Sequence, residues 1–282
     1  MCAVVSGGQL TITSSTAASV AEESVTVRGT GLRLLRSGSG PPVLVLHGSG
    51  DRGDWVPFFS LLAEEHSVLR PDHPGFNWSD DDDRIDSVHD LAFFYLDFLD
   101  ERGLDAVDLV GISLGGWVAA ELAILAGSRV GKLILIDAAG IRVEGVPAPD
   151  YFLLGPEELS DTVWHDPDFK AHNLEWGRTV AEDAEAFGRF LRGRASTAHL
   201  AWNPYFHDPK LLDRVHRIRS DTMILWGAED RLFPVAYGQR WRELIPQAEF
   251  HVIENAGHLP HVERPDEVHA LIEGFLSEGG DR

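Results

Sequence analysis

Short apolar runs recur along this sequence, and a segment with helical periodicity follows each of the first three. Runs of this kind are typical of parallel strands that are buried on both faces of a sheet. They lie at residues 43–47, 67–72, 106–113, 132–137 and 222–226. Because strands that alternate with helices form parallel sheets with helices on both faces, the sequence predicts an α/β fold.

Helices are predicted between and after these runs, with one further strand near the carboxyl terminus. The predicted helices cover 54–65, 87–103, 114–126, 234–244 and 265–277, and the further strand covers 249–253. A hairpin of two short strands is predicted over 24–36, ahead of the first apolar run. An acidic loop over 79–83 is interpreted as solvated surface.

The alternation stops between Gly140 and about Asp213, where helical pieces such as 179–194 occur without a buried strand. An insertion at the carboxyl ends of the strands of an α/β sheet forms a lid over a site. The sequence therefore predicts three parts: a flexible N-terminal segment over 1–23, a core domain over 24–139 and 214–282, and a helical cap over 140–213.

The balance of charges excludes one class of partner. The chain has 45 Asp and Glu residues against 24 Lys and Arg residues, a formal net charge of −21. A protein this acidic repels phosphate backbones, so nucleic acid is not an expected partner. The expected partner is a small-molecule substrate, and the sequence leaves a homo-oligomer open.

Composition also bears on location. No apolar run approaches about 18 residues, so no transmembrane helix and no membrane partner are expected. The single Cys2 cannot form an internal disulfide, and residues 1–23 lack the pattern of a signal peptide. A cytoplasmic location is the expectation.

A serine motif lies at the junction of a predicted strand and a predicted helix. Gly111-Ile112-Ser113-Leu114-Gly115 matches G-x-S-x-G, between the strand over 106–113 and the helix over 114–126. A serine there occupies a sharp turn that exposes its hydroxyl, and the amide of the next residue faces a developing oxyanion. The motif predicts Ser113 as a nucleophile and the Leu114 amide as an oxyanion donor.

A nucleophilic serine needs a base and an orienting carboxylate, expected in the chain order Ser, Asp or Glu, His. Asp230 follows the predicted strand 222–226, and His258 follows the predicted strand 249–253. We predict Asp230 as the acid and His258 as the base. Asp137 is the second candidate for the acid, ahead of Glu229. The nearest competitor of His258 is His261, which is interpreted as a residue at the start of a helix or at the rim of the site.

The second oxyanion donor is expected in the loop His47-Gly48-Ser49-Gly50, which follows the first apolar run. The Ser49 amide is the predicted donor, with Gly48 or Gly50 as alternatives. His47 is predicted to bond the loop backbone rather than to transfer protons.

Two other kinds of site deserve comparison. Residues 48–53 also fit G-x-G-x-x-G, and Asp72 follows about 20 residues later, a pattern typical of dinucleotide-binding oxidoreductases. The helix predicted from Asp54 begins after the third glycine, which weakens this alternative. His258 and His261 form H-x-x-H, but Pro260 and the missing glutamate disfavour a zinc pair. No metal and no organic cofactor are expected.

Five segments together resemble the α/β-hydrolase superfamily over about residues 24–278: VLVLHGSG, RPDHPGFNWSD, DLVGISLGGWVAAELA, LWGAEDRLFP and ENAGHLPHVERPDEV. The resemblance implies an α/β-hydrolase fold, with a mostly parallel eight-stranded sheet and an inserted helical lid. It also implies Ser113 as the nucleophile, His258 as the base and Asp230 as the acid. The implied oxyanion donors are the Ser49 and Leu114 amides.

The same motifs define the subfamily less closely than the superfamily. Ser113 stands where epoxide hydrolases and haloalkane dehalogenases have aspartate. The chain is similar to carbon–carbon bond hydrolases of aromatic ring cleavage, but those typically have tryptophan at Leu259 and often asparagine at Ile112. The sequence therefore predicts a carboxylic-ester hydrolase that forms an acyl-enzyme. A carbon–carbon bond hydrolase is the alternative, and a non-catalytic small-molecule receptor on the same fold is the alternative from a different class.

Overall fold

The computed structural model describes residues 19–278, and these form one eight-stranded sheet with helices on both faces. The strands are β1 (Ala21–Val27), β2 (Thr30–Ser37), β3 (Pro42–Leu46), β4 (Ser67–Pro71), β5 (Val107–Ile112), β6 (Val130–Ile136), β7 (Asp221–Gly227) and β8 (Glu249–Ile253). Their order across the sheet is β1-β2-β4-β3-β5-β6-β7-β8. β2 runs antiparallel to both of its neighbours, β1 and β4, and the other adjacent pairs of these strands are parallel. The predicted fold class is confirmed.

The described helices are α1 (Pro57–Leu62), α2 (Val88–Glu101), α3 (Leu114–Ala126), α4 (Pro156–Val163), α5 (Pro167–Glu182), α6 (Ala184–Ala201), α7 (Ala236–Leu244), α8 (Pro260–Glu263) and α9 (Pro265–Ser277). None of the helices within residues 19–278 combines the length and apolar character needed to cross a bilayer.

Two hydrophobic clusters, one on each face of the sheet, explain the uninterrupted apolar runs. In β3, Val43 and Val45 belong to the cluster beneath α1 and α9, whereas Leu44 and Leu46 belong to the cluster beneath α2 and α3. Successive side chains of a strand point to opposite faces, so a strand covered on both sides needs apolar residues at every position.

Three boundaries differ from the predictions. The helix predicted from Asp54 begins at Pro57, because proline is suited to the first helical position. The predicted helical piece 179–194 is divided at Asp183, whose carboxylate accepts the Glu185 and Ala186 amides and starts α6. Most of the predicted flexible N-terminal segment lies outside the described residues. Its last three residues, 21–23, belong to β1 and pair with β2.

The acidic loop is less solvated than predicted. The Asp80 carboxylate accepts the Gly31 amide at 3.1 Å, and the Asp82 carboxylate accepts the Thr30 hydroxyl at 2.7 Å. The Asp82 side chain is only 4% exposed. These bonds hold the loop against the turn between β1 and β2.

An insertion separates two adjacent strands of the sheet. The chain leaves β6 at Ile136 and re-enters the sheet at Asp221 in β7, and α4, α5 and α6 lie between. The division of the chain into a core and a cap stays a prediction, but the helices fall where the strand pattern stops.

Gly115, in the first turn of α3, is expected to be intolerant of a side chain. A Cβ atom there would lie 2.0 Å from the Leu46 carbonyl oxygen, which belongs to the backbone of β3. Since neither backbone can move freely, we expect Gly115→Ala to lower the free energy of unfolding by about 3 kcal/mol.

Gly274, exposed on α9, is the matched control, because a Cβ atom there would meet nothing within 4 Å. Gly274→Ala is expected to raise the free energy of unfolding by up to about 1 kcal/mol through helix propensity. Urea denaturation of both variants measures the difference. Equal stabilities would contradict the close packing of α3 on β3.

Candidate active site

Ser113 lies on a strained turn between β5 and α3. Its backbone has φ 53° and ψ −117°, which side-chain-bearing residues rarely adopt. Small neighbours make the turn possible: a Cβ atom on Gly111 would lie 2.5 Å from the Gly115 carbonyl oxygen. The Ser113 amide donates to Ile136 at 2.9 Å, which ties the turn to β6. Such strain concentrates at functional positions.

Ser113, His258 and Asp230 come together at the carboxyl ends of β5, β8 and β7. His258 Nε2 lies 2.8 Å from Ser113 Oγ, and His258 Nδ1 lies 2.8 Å from Asp230 Oδ2. The other Asp230 oxygen accepts the Leu232 amide at 2.8 Å and the Phe233 amide at 2.9 Å. With Asp230 ionised, Nδ1 donates to the carboxylate and Nε2 accepts the serine proton, which is the arrangement that activates a serine.

Asp137, the second candidate for the acid, lies beside this group without bonding His258. Asp137 Oδ1 accepts the Gly227 amide at 2.9 Å. Carboxylate oxygens of Asp137 and Asp230 and a ring nitrogen of His258 lie within 4.8 Å of one another. Burial, and then the charge of Asp230, raise the pKa of Asp137 well above its usual range. The direction of this shift favours the neutral form of Asp137, and of the two carboxyl groups it is Asp230 that bonds His258.

The two other competitors are engaged elsewhere. The Glu229 carboxylate accepts the Ala256 amide at 3.0 Å. His261 lies on α8 against Phe58 and Phe59, with ring centroids 5.7 and 6.3 Å apart, so it is a buried residue rather than a rim residue. Burial lowers the pKa of His261 to about 3, which keeps the ring neutral.

The loop after β3 runs directly beside Ser113. A Cβ atom on Gly48 would lie 3.1 Å from Ser113 Cβ and 3.7 Å from Ser113 Oγ. Within residues 19–278, the Ser49 and Leu114 amides have no hydrogen-bond acceptor in the protein. Both N–H groups thus have the capacity to bind an oxyanion on Ser113, and their use as donors stays a prediction.

A buried polar network anchors this loop. His47 Nδ1 lies 2.8 Å from the Gly48 carbonyl oxygen, and His47 Nε2 accepts the His73 amide at 2.9 Å. Burial lowers the pKa of His47, so the ring is neutral and bonds the loop backbone as predicted. Beneath it, Arg70 pairs with Asp51 and Asp72. Burial alone would raise the pKa of Asp51, but Arg70 holds it below its usual range.

The same network argues against a dinucleotide site. Asp72 is fully buried and accepts Arg70 at 2.9 Å and Arg33 at 3.2 Å, so it is not available to a ribose. Gly53 lies in the loop and not at the start of α1, which begins at Pro57. His47, Asp51 and Asp72 are close enough to one another to hold a metal ion, but both ring nitrogens of His47 already have partners and Arg70 neutralises the carboxylates.

Aromatic side chains that the sequence did not single out cover the site. The Phe233 ring lies 5.5 Å from the His258 ring and 5.8 Å from Phe206. Tyr151 lies 5.8 Å from Phe206, and its hydroxyl would lie 4.0 Å from a Cβ atom on Gly50, in the loop after β3. Tyr151 and Phe206 belong to the insertion between β6 and β7. Ser113 itself is only 2% exposed. No local motif marks these residues, since their contacts join distant parts of the chain.

Comparison with known proteins identifies the family. The family model described as "Alpha/beta hydrolase family" matches residues 43–271, most of the chain. This chain belongs to the alpha/beta hydrolase family. It is a hydrolase-fold protein with the serine, histidine and acid of a serine hydrolase in bonding contact.

Three related proteins cover nearly the whole chain. The 2-hydroxy-6-oxo-6-phenylhexa-2,4-dienoate hydrolase of Burkholderia cepacia is 27% identical over 283 residues, with 90% of this chain and 96% of that protein covered. A membrane phospholipase A, described as a bacterial virulence factor, is 29% identical with a TM-score of 0.73, over 91% of this chain and 86% of that one. The 2-hydroxy-6-oxo-6-phenylhexa-2,4-dienoate hydrolase of Rhodococcus sp. strain RHA1 is 22% identical with a TM-score of 0.76, over 92% and 99%, and shows the fold alone.

Proposed function

We propose that this protein cleaves a carbon–carbon bond in a 2-hydroxy-6-oxo-2,4-dienoate, the type of product formed when an aromatic ring is opened. The observation that carries the proposal is the full-length similarity to enzymes named for this substrate class, together with a buried serine triad. This places the carbon–carbon bond hydrolase ahead of the ester hydrolase that the sequence alone favoured.

The proposed reaction begins at the ketone of the substrate. His258 accepts the proton of Ser113, and Ser113 Oγ attacks the ketone carbon at position 6. Asp230 orients the imidazole and stabilises the imidazolium. The Ser49 and Leu114 amides bind the oxyanion that forms on the ketone oxygen.

The bond between carbons 5 and 6 then breaks. This requires the substrate to react as its keto tautomer, in which a proton has moved from the 2-hydroxyl group to carbon 5. The electron pair of the broken bond then passes through carbons 5 to 3 to the oxygen at carbon 2. His258 returns the proton to that oxygen, so the released fragment is 2-hydroxypenta-2,4-dienoate. The acyl group stays on Ser113 as an ester. Water, activated by His258, hydrolyses that ester and releases a carboxylic acid, and the sum of the steps consumes one water molecule.

The surroundings of Ser113 suit this chemistry. The nucleophile is buried, and a chain of rings from Tyr151 through Phe206 and Phe233 reaches the His258 ring, so the base is bordered by apolar surface. Apolar surroundings exclude water and strengthen the oxyanion bonds. A planar, conjugated substrate packs well against such rings. Entry requires that the covering residues move, because Ser113 and His258 are only 2% and 4% exposed.

Ester hydrolysis is the second candidate. The specific observations in its favour are the membrane phospholipase A at 29% identity and the two departures at Ile112 and Leu259. The same triad and the same acyl-enzyme would serve an ester, with an alcohol as the leaving group in place of the dienol.

Purified protein assayed with 2-hydroxy-6-oxo-6-phenylhexa-2,4-dienoate and with a series of p-nitrophenyl esters tests the proposal. Loss of dienoate absorbance should match the benzoate formed, with kcat/KM at least about 100-fold above that of the best ester. The reverse preference would identify an ester hydrolase. Stoichiometric binding of the dienoate without turnover of either substrate would identify a receptor.

A further inference from the structure

We infer that Glu263 is a positioning residue for His258, and that its carboxylate holds the corner between α4 and α5 against the loop that carries this histidine. The corner consists of residues 164–166, and the loop consists of residues 255–258. The contribution to catalysis rests on the proposed function of His258, whereas the contact between corner and loop does not.

The Glu263 carboxylate joins these two segments through three backbone amides. One oxygen accepts the His165 amide at 3.0 Å and the Asp166 amide at 2.7 Å. The other oxygen accepts the Gly257 amide at 2.6 Å. Gly257 directly precedes His258, so one side chain fixes both the insertion and the residue next to the base.

The corner and the loop are in direct contact at the same place. The His258 amide donates to the Val163 carbonyl oxygen at 2.7 Å. A Cβ atom on Gly257 would lie 2.3 Å from that oxygen and 2.9 Å from the His165 amide nitrogen. This proximity means that a shift of the corner by even a few tenths of an ångström moves the backbone of His258.

Glu263 is buried, and among residues 19–278 its carboxylate forms no ion pair with an arginine, lysine or histidine. Its charge is compensated by the amides and by the N-terminus of α5, which begins at Pro167. Each amide bond to a charged acceptor is strong in a buried place, and removing the acceptor leaves three buried donors unsatisfied.

Other side chains accept hydrogen bonds from the rest of the loop, whereas the Gly257 amide donates to Glu263. The Glu229 carboxylate accepts the Ala256 amide at 3.0 Å, and Asp230 accepts the His258 ring at 2.8 Å. Without Glu263, the backbone of His258 is still held by its own amide bond to the Val163 carbonyl oxygen, but Val163 adjoins the corner whose amides Glu263 accepts. The loop and the corner are then free to shift together, and the position that keeps His258 Nε2 2.8 Å from Ser113 Oγ is less well fixed.

Glu263→Gln is the decisive variant, because it keeps the shape and replaces one acceptor by a donor that faces an N–H group. Glu121→Gln is the matched control: Glu121 is equally buried, on α3, and accepts Arg214 at 2.8 Å and His89 at 3.2 Å, away from the loop. Both variants are compared with the wild-type protein in hydrogen exchange and in the rate of labelling by a fluorophosphonate probe.

We expect the peptides that cover 163–170 and 255–259 to exchange faster together in Glu263→Gln, and at wild-type rates in Glu121→Gln. We also expect labelling of Ser113 to slow by about 100-fold in Glu263→Gln, since a misplacement near 1 Å has that effect, and to stay within about twofold in Glu121→Gln.

Three results would overturn the inference. Wild-type exchange in both segments would show that Glu263 does not join them. Faster exchange in only one segment would show the same. Faster exchange in both segments with labelling like that of Glu121→Gln would show a structural bond without influence on His258. If the wild-type protein itself is not labelled, the proposed function fails, and exchange alone decides whether Glu263 joins the two segments.

Discussion

Ser113→Ala is expected to reduce kcat/KM by about 10⁶-fold with any substrate that the protein turns over, because the acyl-enzyme can no longer form. His258 Nε2 lies 2.8 Å from the hydroxyl that this variant lacks, and among residues 19–278 no other hydroxyl bonds this nitrogen. Labelling by a fluorophosphonate probe should disappear with the activity. Steady-state kinetics and intact-protein mass spectrometry measure the two effects.

Ser220 provides a control for the loss of a buried serine hydroxyl. It is 5% exposed, precedes β7, and its hydroxyl has no hydrogen-bond partner among residues 19–278. Ser220→Ala should retain wild-type activity and labelling. If Ser113→Ala kept the activity of Ser220→Ala, Ser113 would not be the nucleophile, and the proposed mechanism would be wrong.

Asp230→Asn is expected to reduce kcat by about 10⁴-fold while the fold is retained. An asparagine oxygen still accepts the Leu232 and Phe233 amides, which Asp230 accepts at 2.8 and 2.9 Å. Its amide group donates to His258 Nδ1, however, and leaves the proton of the ring on Nε2. His258 then cannot accept the proton of Ser113, and the unchanged circular dichroism spectrum would show that the loss is chemical.

Asp137→Asn is the matched variant, since it changes the neighbouring carboxyl group. Because the raised pKa favours the neutral form of Asp137, we expect its replacement to leave the charge beside His258 unchanged, and the acidic limb of the pH profile of kcat/KM should stay in place. An ionised Asp137 would stabilise the imidazolium, so its removal would move that limb to lower pH. A shift in that direction, or a loss of activity equal to that of Asp230→Asn, would contradict the assignment.

The raised pKa of Asp137 also predicts how stability depends on pH. Between the ordinary pKa of an aspartate and the raised pKa in the folded protein, the unfolded chain is ionised at this position and the folded protein is not, so folding takes up a proton. Within that window the contribution of Asp137 to the free energy of unfolding falls as pH rises, and the difference in favour of Asp137→Asn grows by about 1.4 kcal/mol per pH unit. Urea denaturation at several pH values measures this slope.

Much of the fold was predictable because its signals are local. Uninterrupted apolar runs marked β3 to β7, since strands covered on both faces need apolar side chains at every position. Pro57 and Asp183 show the limit of this reasoning. Both are local helix signals, but they compete with the periodicity around them, and the structure shows that they set the starts of α1 and α6.

The candidate site was predictable to the same extent. Ser113, Asp230 and His258 stand directly after β5, β7 and β8, and in a parallel sheet the carboxyl ends of the strands lie at one edge. Chain order and sheet topology thus sufficed to name the three residues. They ranked Asp230 ahead of Asp137 without excluding Asp137, because both follow strands of the same sheet.

The sequence by itself determined the family, the order of the strands along the chain and the residues at the strand ends. Only the tertiary structure decided that Asp230 bonds His258 while burial raises the pKa of Asp137, that Phe233 packs against His258, and that Glu263 joins Gly257 to the α4–α5 corner. The physical reason is that hydrogen bonds and burial between residues far apart in the chain depend on distances of a few ångströms, which strand and helix patterns do not encode.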